Sequence, residues 1–200
     1  AWIHNMRKYL PHILIISFVF LLTPTVHVAS YAVDIEEAKE EVRKNPDDAS
    51  AHLNLGVAYG ELGKYEDAIR SYKQAISIDP DDAEAHFNLG VAYHNLEMYQ
   101  MAMVSYKQAI KIDPDLAKAH NNLGRVYIVS FKGKKAIKSF KQAIKINPDD
   151  ADVHANLGDA YAMLGTPKKP GVYKKAIKAC MQAIRIDPDL AKAHNNLGNA

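Results

Sequence analysis

Apolar and polar residues follow one another along most of the chain with the period of amphipathic helices. In residues 83–116, two apolar sets have spacings of three and four, which place side chains on one face of a helix. The first set is Ala85, Leu89, Ala92 and Leu96, and the second is Ala102, Tyr106, Ala109, Ile110 and Ile112. Asp113-Pro114 ends the second set, because proline disfavours a helical conformation in the residue before it. The pattern predicts a pair of helices followed by a break, with Asp115 as the N-cap of the next helix.

This helix pair recurs along the chain with a period of 34 residues. The unit ends are marked by Pro46, Pro80, Pro114, Pro148 and, after 40 residues, Pro188. Leucine-glycine pairs keep the same register at Leu55-Gly56, Leu89-Gly90, Leu123-Gly124, Leu157-Gly158 and Leu197-Gly198. Each pair of helices leaves an apolar flank that only the next pair can cover, so a repeat of this length predicts a stacked solenoid.

Small residues at fixed places predict where the two helices of a unit approach each other. Gly90 and Ala102 lack bulk, and Tyr106 is expected to fill the space beyond them. Gly63 lies between the helices of the preceding unit, where it can end a helix in the left-handed conformation. The aromatic series is Tyr72, Tyr106 and Phe140, and it continues as Cys180. A thiol fills less volume than a ring, so we expect the fourth unit to be the most weakly packed.

These recurring residues and their spacing resemble those of the tetratricopeptide repeat (TPR) family. The resemblance divides the chain into units 1 to 4 and a truncated unit 5, at residues 49–82, 83–116, 117–150, 151–190 and 191–200. It implies an all-α, right-handed solenoid of antiparallel helix hairpins, with residues 33–48 as a capping helix. Unit 4 holds six extra residues in its turn. The two prolines of residues 166–172 predict that this insertion is a non-helical loop.

The N-terminal region has the pattern of a secretory leader. Arg7-Lys8 precedes an apolar run over residues 13–22, and Ser30-Tyr31-Ala32 supplies the small residues of a cleavage site. We therefore expect residues 1–32 to be a signal peptide that starts at Met6, and the mature protein to be exported to a periplasmic or extracellular space. The alternative is an uncleaved apolar leader helix, with residues 13–28 as a membrane anchor. The apolar run is shorter than the roughly 17–25 residues that span a bilayer.

One histidine stands at the same position in each unit, where the family often has tryptophan: His52, His86, His120, His154 and His194. Metal ligands must converge to about 2.0–2.1 Å from one ion, whereas equivalent residues of stacked hairpins lie about 8–10 Å apart. We therefore interpret the histidines as structural and expect no metal site. The single cysteine, Cys180, excludes an internal disulfide and is expected in the core.

Five asparagines precede the leucine-glycine pairs: Asn54, Asn88, Asn122, Asn156 and Asn196. The TPR resemblance places them on the first helix of each hairpin, which lines a concave groove. In the TPR superhelix of O-GlcNAc transferase-like proteins, matching asparagines hold an extended peptide by its backbone. An amide offers a donor and an acceptor together, which matches one peptide unit. The alternative is that asparagine is only a frequent residue at this position of the family.

Ligand specificity is expected from the exposed first-helix positions around these asparagines. By the family resemblance they are Ser50, Leu53, Val57, Glu84, Phe87, Val91, His94, Lys118, Asn121, Arg125, Ile128, Asp152, Ala155, Asp159 and Met163. We expect Phe87, Asn121 and Arg125 to select the ligand's side chains. Lys118, Arg125 and Lys192 are candidates for recognising a carboxylate.

Charge divides the chain into an acidic half and a basic half. Residues 33–100 hold 6 Lys and Arg against 15 Asp and Glu, whereas residues 101–200 hold 17 against 8. Lysines dominate the second helices of units 3 and 4, where helical spacing places most of them on the convex face. A solvated charged face is one explanation, and contact with anionic lipid headgroups or an acidic partner is the other. No recognition motif accompanies the charge, so we expect no binding of nucleic acid.

The polar residues recur with the repeat and do not converge on one catalytic site. We therefore expect a non-enzymatic scaffold without a cofactor, which binds an extended segment of a partner protein in its groove. The alternative is that these repeats recruit substrates for a larger enzyme, such as a glycosyltransferase, that continues after Ala200. Because solenoids need polar caps for solubility, we also expect self-association through unit 5.

Overall fold

In a computed structural model of the protein, residues 35–165 and 170–199 are described, and the regular structure within them is helical. Residues 35–44 form α1. The other helices are α2 (Ala49–Glu61), α3 (Tyr65–Ile78), α4 (Ala83–Asn95), α5 (Tyr99–Ile112), α6 (Ala117–Val129), α7 (Gly133–Ile146), α8 (Ala151–Leu164), α9 (Pro170–Ile186) and α10 (Ala191–Gly198). None of the helices in these two stretches has both the length and the apolar character that crossing a membrane requires. The leader expected over residues 1–32 lies outside the described residues.

The helices form a stack of hairpins. Each first helix (α2, α4, α6 and α8) packs against the second helix that follows it, and that second helix packs against the first helix of the next unit. α10 packs against both helices of unit 4. The core lies between the helices and runs from unit to unit without interruption from Ala68 to Ala179. The prediction of an all-α solenoid is therefore confirmed.

Close contact between the two helices of a hairpin depends on a glycine that faces an aromatic ring. A Cβ atom added at Gly90 would lie 2.6 Å from Cε1 of Tyr106, and one added at Gly124 would lie 2.5 Å from Cε1 of Phe140. Both rings are fully buried. A side chain at either glycine would have to displace the ring or the helix. The prediction that small residues permit the close approach is confirmed.

The hairpin turns of units 1 to 3 each contain one residue in the left-handed conformation. Gly63 has a φ angle of 71°, as its place in the sequence predicts. The equivalent residues Glu97 and Phe131 have φ angles of 58° and 55°, although a Cβ atom makes this conformation unfavourable. The side chain of Phe131 is also 87% exposed. Two of the three turns therefore carry backbone strain that glycine avoids.

The first helices of units 2 and 3 begin in different ways. Asp82 is the N-cap of α4, and its carboxylate accepts hydrogen bonds from two backbone N–H groups of the first turn. The N-cap of α6 is Leu116, which makes no such bond. The prediction that Asp115 caps this helix is therefore wrong, because the N-cap position falls one residue later, and Asp115 lies in the turn, where its backbone N–H donates to the carboxylate of Asp113. Leu116 packs against the core instead.

Unit 4 departs from the other units at its turn and in its core. α9 begins at Pro170, so the prediction of a non-helical loop is wrong for residues 170–172. The fixed φ angle of proline suits the first turn of a helix, which explains the difference. Cys180 is fully buried, and its sulfur faces Gly158 as the rings face the glycines of the other units. The cysteine is therefore the core residue that the sequence predicts.

Candidate functional site

The first helices place a row of polar side chains along one side of the stack, which we call the first-helix face. Its members are Asn54, Glu84, Asn88, Lys118, Asn121, Asn122, Arg125, Asn156, Lys192 and Asn196. Several of them are bonded to a neighbour in the adjacent unit, 34 to 41 residues away in the chain. The face is therefore continuous from unit 2 to unit 5.

Three of the five asparagines keep free hydrogen-bonding capacity. Asn54 is exposed and borders a cavity of about 420 Å³ between α1 and α2. Asn88 is half-buried and donates only a long hydrogen bond, 3.4 Å, to Oε1 of Glu84. Asn122 is also half-buried, accepts a bond of 3.4 Å from the Arg125 guanidinium, and lies beside the Tyr106 hydroxyl without a hydrogen bond of normal geometry to it. Bonds of this length are weak, so these amides remain able to bind a ligand.

The other two asparagines are bonded within the solenoid. Asn156 is buried, and its amide nitrogen donates to Oδ1 of Asn121 at 2.9 Å, while its oxygen accepts from the Lys192 ammonium. Asn196 donates to the backbone oxygen of Ala155 at 3.0 Å. These amides link units 3, 4 and 5 to one another. The sequence could not distinguish them from the first three, because all five stand at the same repeat position.

Lys118 is paired with an acid of the preceding unit. Its ammonium donates to Oε1 of Glu84 at 2.6 Å and lies 4.5 Å from the centre of the Phe87 ring. Both charged side chains are almost half exposed, so the pair contributes little to stability. The family resemblance places both residues on this face but does not pair them. The available signal was their opposite charge at equivalent positions, 34 residues apart.

Phe87 is buried and does not project into the groove. Only 9% of the residue is exposed, and its ring centre lies 5.9 Å from that of Tyr106. The expectation that Phe87 and Ala155 are exposed is therefore wrong for both residues, since Ala155 is fully buried. Val91 is half-buried and packs against the edge of the core. Burial of an aromatic ring removes a large apolar area from water, which explains why Phe87 turns inward.

The middle of the first-helix face carries an exposed cation. Arg125 is exposed and forms no ion pair within the described stretches of the chain. Burial and the nearby Arg125 charge lower the pKa of His94. The same two causes lower the pKa of Lys192, although Asp152 and Asp159 act in the opposite direction. Burial disfavours charge of either sign, so it is the Arg125 charge alone among these causes that favours an anionic group such as a carboxylate.

The five repeated histidines each hold the turn that precedes their own helix. Nε2 of each ring is bonded to the backbone oxygen of the proline six residues earlier, at distances of 2.8 to 3.1 Å. The prediction that these residues are structural is therefore confirmed. Among residues 35–165 and 170–199, no group of three or more His, Cys, Asp or Glu side chains is arranged to hold a metal ion.

Models of the tetratricopeptide repeat match residues 38–70, 83–116 and 171–190, and a related TPR repeat model matches residues 59–97 and 133–165. The matched residues make up more than half of the chain. The chain belongs to the tetratricopeptide repeat family. Members of the TPR family serve as protein-interaction scaffolds, and the resemblance inferred from the sequence is confirmed at this level.

Solved structures of other TPR proteins are similar to this one. MamA superposes with a TM-score of 0.71 and 27% identity, over 84% of this chain and 95% of MamA. YrrB, described as a TPR protein with an unusual peptide-binding site, gives a TM-score of 0.69 and 22% identity, over 82% of this chain and 81% of YrrB. TTC0263, a thermophilic TPR protein of Thermus thermophilus, gives a TM-score of 0.64 and 21% identity, over 90% of this chain and 95% of TTC0263. The last two similarities show the fold alone. No curated protein sequence matches the chain.

Proposed function

We propose that this TPR solenoid is a scaffold that binds an extended segment of a partner protein along its first-helix face, without catalysing a reaction. One observation carries the proposal: Asn54, Asn88 and Asn122 follow one another at one amide per unit and have weak bonds or none among the described residues. A spacing of about 8–10 Å between units corresponds to about three residues of extended chain. Successive amides would therefore bind peptide units that are three residues apart in the ligand.

The binding asparagines in this proposal are limited to units 1 to 3. The amides of Asn156 and Asn196 are occupied by bonds inside the solenoid, so they keep units 3 to 5 in register and leave ligand binding to the first three. Peptide binding is described for YrrB, a protein of the same fold. The proposal extends that property to this chain on the basis of its own free amides.

Arg125 gives the bound segment a preferred charge. Its guanidinium is exposed and without an acidic partner in the described residues, and it lies beside Asn122. A carboxylate of the ligand would form a charge-assisted bond with this group, which is stronger than a bond between neutral partners. Lys118 is already paired with Glu84, so Arg125 is the main determinant in unit 3.

The test uses peptides selected from a random 12-residue library against the full chain, with dissociation constants measured by fluorescence anisotropy. The variant Asn54→Ala/Asn88→Ala/Asn122→Ala removes the three free amides. Each lost hydrogen bond costs about 0.5–1.5 kcal/mol, so affinity should fall at least about tenfold. Alanine is favourable in helices, and the circular dichroism spectrum should therefore be unchanged.

The matched control is Asn45→Ala/Asn147→Ala, which removes two exposed asparagines of the turns between units and should leave affinity unchanged. Replacing an acidic ligand residue by its amide should weaken binding to the native chain and have no effect on the Arg125→Gln variant. If selected peptides bind the triple variant as tightly as the native chain, the first-helix amides are not the binding site.

Export of the protein is a separate part of the proposal, and it rests on the leader pattern of residues 1–32 alone. The basic start, apolar run and small residues before position 33 are those of a cleaved signal peptide. N-terminal sequencing of the protein recovered from expressing cells tests this. A mature chain that begins near Val33 supports export, and a soluble cytosolic chain that begins at Met6 contradicts it.

A further inference from the structure

Two cavities open between successive second helices, on the side of the stack away from the first-helix face. The larger one, about 610 Å³, lies between α5, α6 and α7 and is bordered by Lys107, Lys135 and Lys138. The other, about 460 Å³, lies between α7, α8 and α9 and is bordered by Lys141, Lys175 and Lys178. Both volumes are in the range of small-ligand sites. We call them the unit 3 pocket and the unit 4 pocket.

The two pockets are copies of one another. Every lysine of the unit 3 pocket has its counterpart at the same repeat position of the unit 4 pocket, and the floors are also equivalent. Leu123 and Tyr127 form the floor in unit 3, and Leu157 and Tyr161 form it in unit 4. The repeat therefore builds the same arrangement twice, one unit apart.

In each pocket, lysine ammonium groups lie close to the tyrosine ring of the floor. Nζ of Lys135 lies 5.9 Å from the ring centre of Tyr127. Nζ of Lys141 and Nζ of Lys175 each lie 5.9 Å from the ring centre of Tyr161, although they come from different units. In the unit 4 pocket, ammonium groups from two adjacent second helices therefore lie near the same tyrosine ring.

The pockets have no acidic side chain in their lining. Their six lysines form no ion pair within the described parts of the chain. Three ammonium groups around one cavity exceed what a single carboxylate neutralises. A phosphate group carries about 1.5 to 2 negative charges near pH 7 and three acceptor oxygens, and lysine binds phosphate as a point charge.

We propose that the unit 3 and unit 4 pockets each bind a phosphate-bearing anion. The apolar and aromatic floor supports the less polar part of such a ligand, while the three lysines hold its phosphate. This site lies apart from the first-helix face, so one chain would bind a peptide and phosphate groups on different surfaces.

Unit 2 supplies an internal comparison. At the positions of Lys135 and Lys138 it has Met101 and Val104, which are 44% and 65% exposed. Only Lys73 remains of the three lysines, with Nζ 5.8 Å from the ring centre of Tyr93. The substitutions Lys135→Met and Lys138→Val therefore introduce residues that the same fold already accepts, and the variant should fold.

The probe is inorganic pyrophosphate, titrated into the full chain in 50 mM salt and followed by NMR of the backbone amides. Two pyrophosphates should bind per chain, with the largest shifts around Tyr127 and Tyr161. Lys135→Met/Lys138→Val should abolish the shifts around Tyr127 and leave one site. Lys134→Met/Lys145→Val, which removes the same charge from exposed positions of α7 outside the pockets, should leave both sites intact. Succinate at equal ionic strength should bind at least about tenfold more weakly.

A second arm identifies the source of the phosphate. Vesicles of phosphatidylcholine and phosphatidylglycerol in a 70:30 ratio are sedimented with the native chain and with both variants. Weaker sedimentation of Lys135→Met/Lys138→Val, with the native amount for Lys134→Met/Lys145→Val, assigns the pockets to lipid headgroups, and pyrophosphate binding without vesicle binding assigns them to a soluble phosphate. The proposal is overturned if pyrophosphate does not bind, if it binds no better than succinate, or if both lysine variants lose it equally.

Discussion

Units 2 and 3 share a buried framework and differ on their surfaces. Each pairs a first helix of 13 residues with a second helix of 14, and each packs a glycine against an aromatic ring. Yet unit 2 exposes Met101 and Val104 where unit 3 exposes Lys135 and Lys138. The repeat therefore fixes where each side chain lies, while the exposed positions are free to acquire separate binding functions.

The framework itself also differs between the two units, and two of the differences have measurable consequences. Unit 2 has Tyr106 where unit 3 has Phe140, and it has Asp82 where unit 3 has Leu116. The first pair differs by one hydroxyl group in the core. The second pair exchanges a helix cap for an apolar contact.

The largest effect is expected where the two units are the same, at the glycine that faces the ring. Gly124→Ala places a Cβ atom 2.5 Å from Cε1 of the fully buried Phe140. Overpacking of this kind costs about 1–3 kcal/mol, and contact of the new Cβ atom with three ring carbons within 2.8 Å places Gly124→Ala near the upper limit. Gly90→Ala should have a similar effect in unit 2. Urea unfolding followed by circular dichroism measures both.

Gly60→Ala is the matched control for these substitutions. Its Cβ atom would make only an ordinary contact, 3.5 Å from the hydroxyl of Tyr72. Alanine is better than glycine inside a helix by about 1 kcal/mol, so this variant should be as stable as the native chain or more so. Equal destabilisation by Gly60→Ala and Gly124→Ala would show that the ring contact is not the cause.

A smaller effect is expected from exchanging Tyr106 and Phe140. The hydroxyl of Tyr106 is buried beside the Asn122 side chain, and it makes no hydrogen bond of normal geometry among the described residues. An unsatisfied buried polar group costs about 1–3 kcal/mol, so Tyr106→Phe should raise the free energy of unfolding by about 1 kcal/mol. Phe140→Tyr should lower it by a similar amount. If Tyr106→Phe is destabilising, the hydroxyl has a partner in solution.

The same substitution should change the dependence of stability on pH. Burial raises the pKa of Tyr106 above its ordinary value of 10.0 and raises the pKa of Tyr72 to about 12. A raised pKa in the folded state means that stability is complete below pH 10 and decreases as the pH rises towards the folded-state pKa. Between pH 9 and pH 11.5 the native chain should therefore lose more stability than Tyr106→Phe. Equal losses would contradict the burial of an ionisable hydroxyl.

The sequence predicted the framework well because the repeat displays it several times. Gly90, Gly124 and the rings opposite them recur at fixed spacing, and only close helix packing requires that pattern. The bonding of the asparagines could not be predicted, because Asn88 and Asn156 occupy the same repeat position and differ only in their neighbours. Lys192 and Asn121 engage Asn156, and such contacts between units depend on the three-dimensional stacking. Burial of Phe87 was missed for the same reason.

The smallest effect concerns the start of the first helices, where units 2 and 3 use different solutions. Asp82→Leu removes the side-chain acceptor for two backbone N–H groups of α4, which should cost about 1 kcal/mol. Leu116→Asp adds an acceptor to α6, but it also removes a half-buried leucine that packs against the core.

The two contributions of Leu116→Asp should nearly cancel, because contact of a partly buried leucine with the core is worth about as much as a cap. The expected result is therefore asymmetric: Asp82→Leu lowers the urea midpoint, and Leu116→Asp leaves it almost unchanged. Amide exchange in the first turn of each helix separates the causes, since a new cap should slow exchange in α6 even when global stability is constant. A gain of a full 1 kcal/mol from Leu116→Asp would mean that the leucine contributes no packing energy, and that unit 3 lacks a cap without compensation.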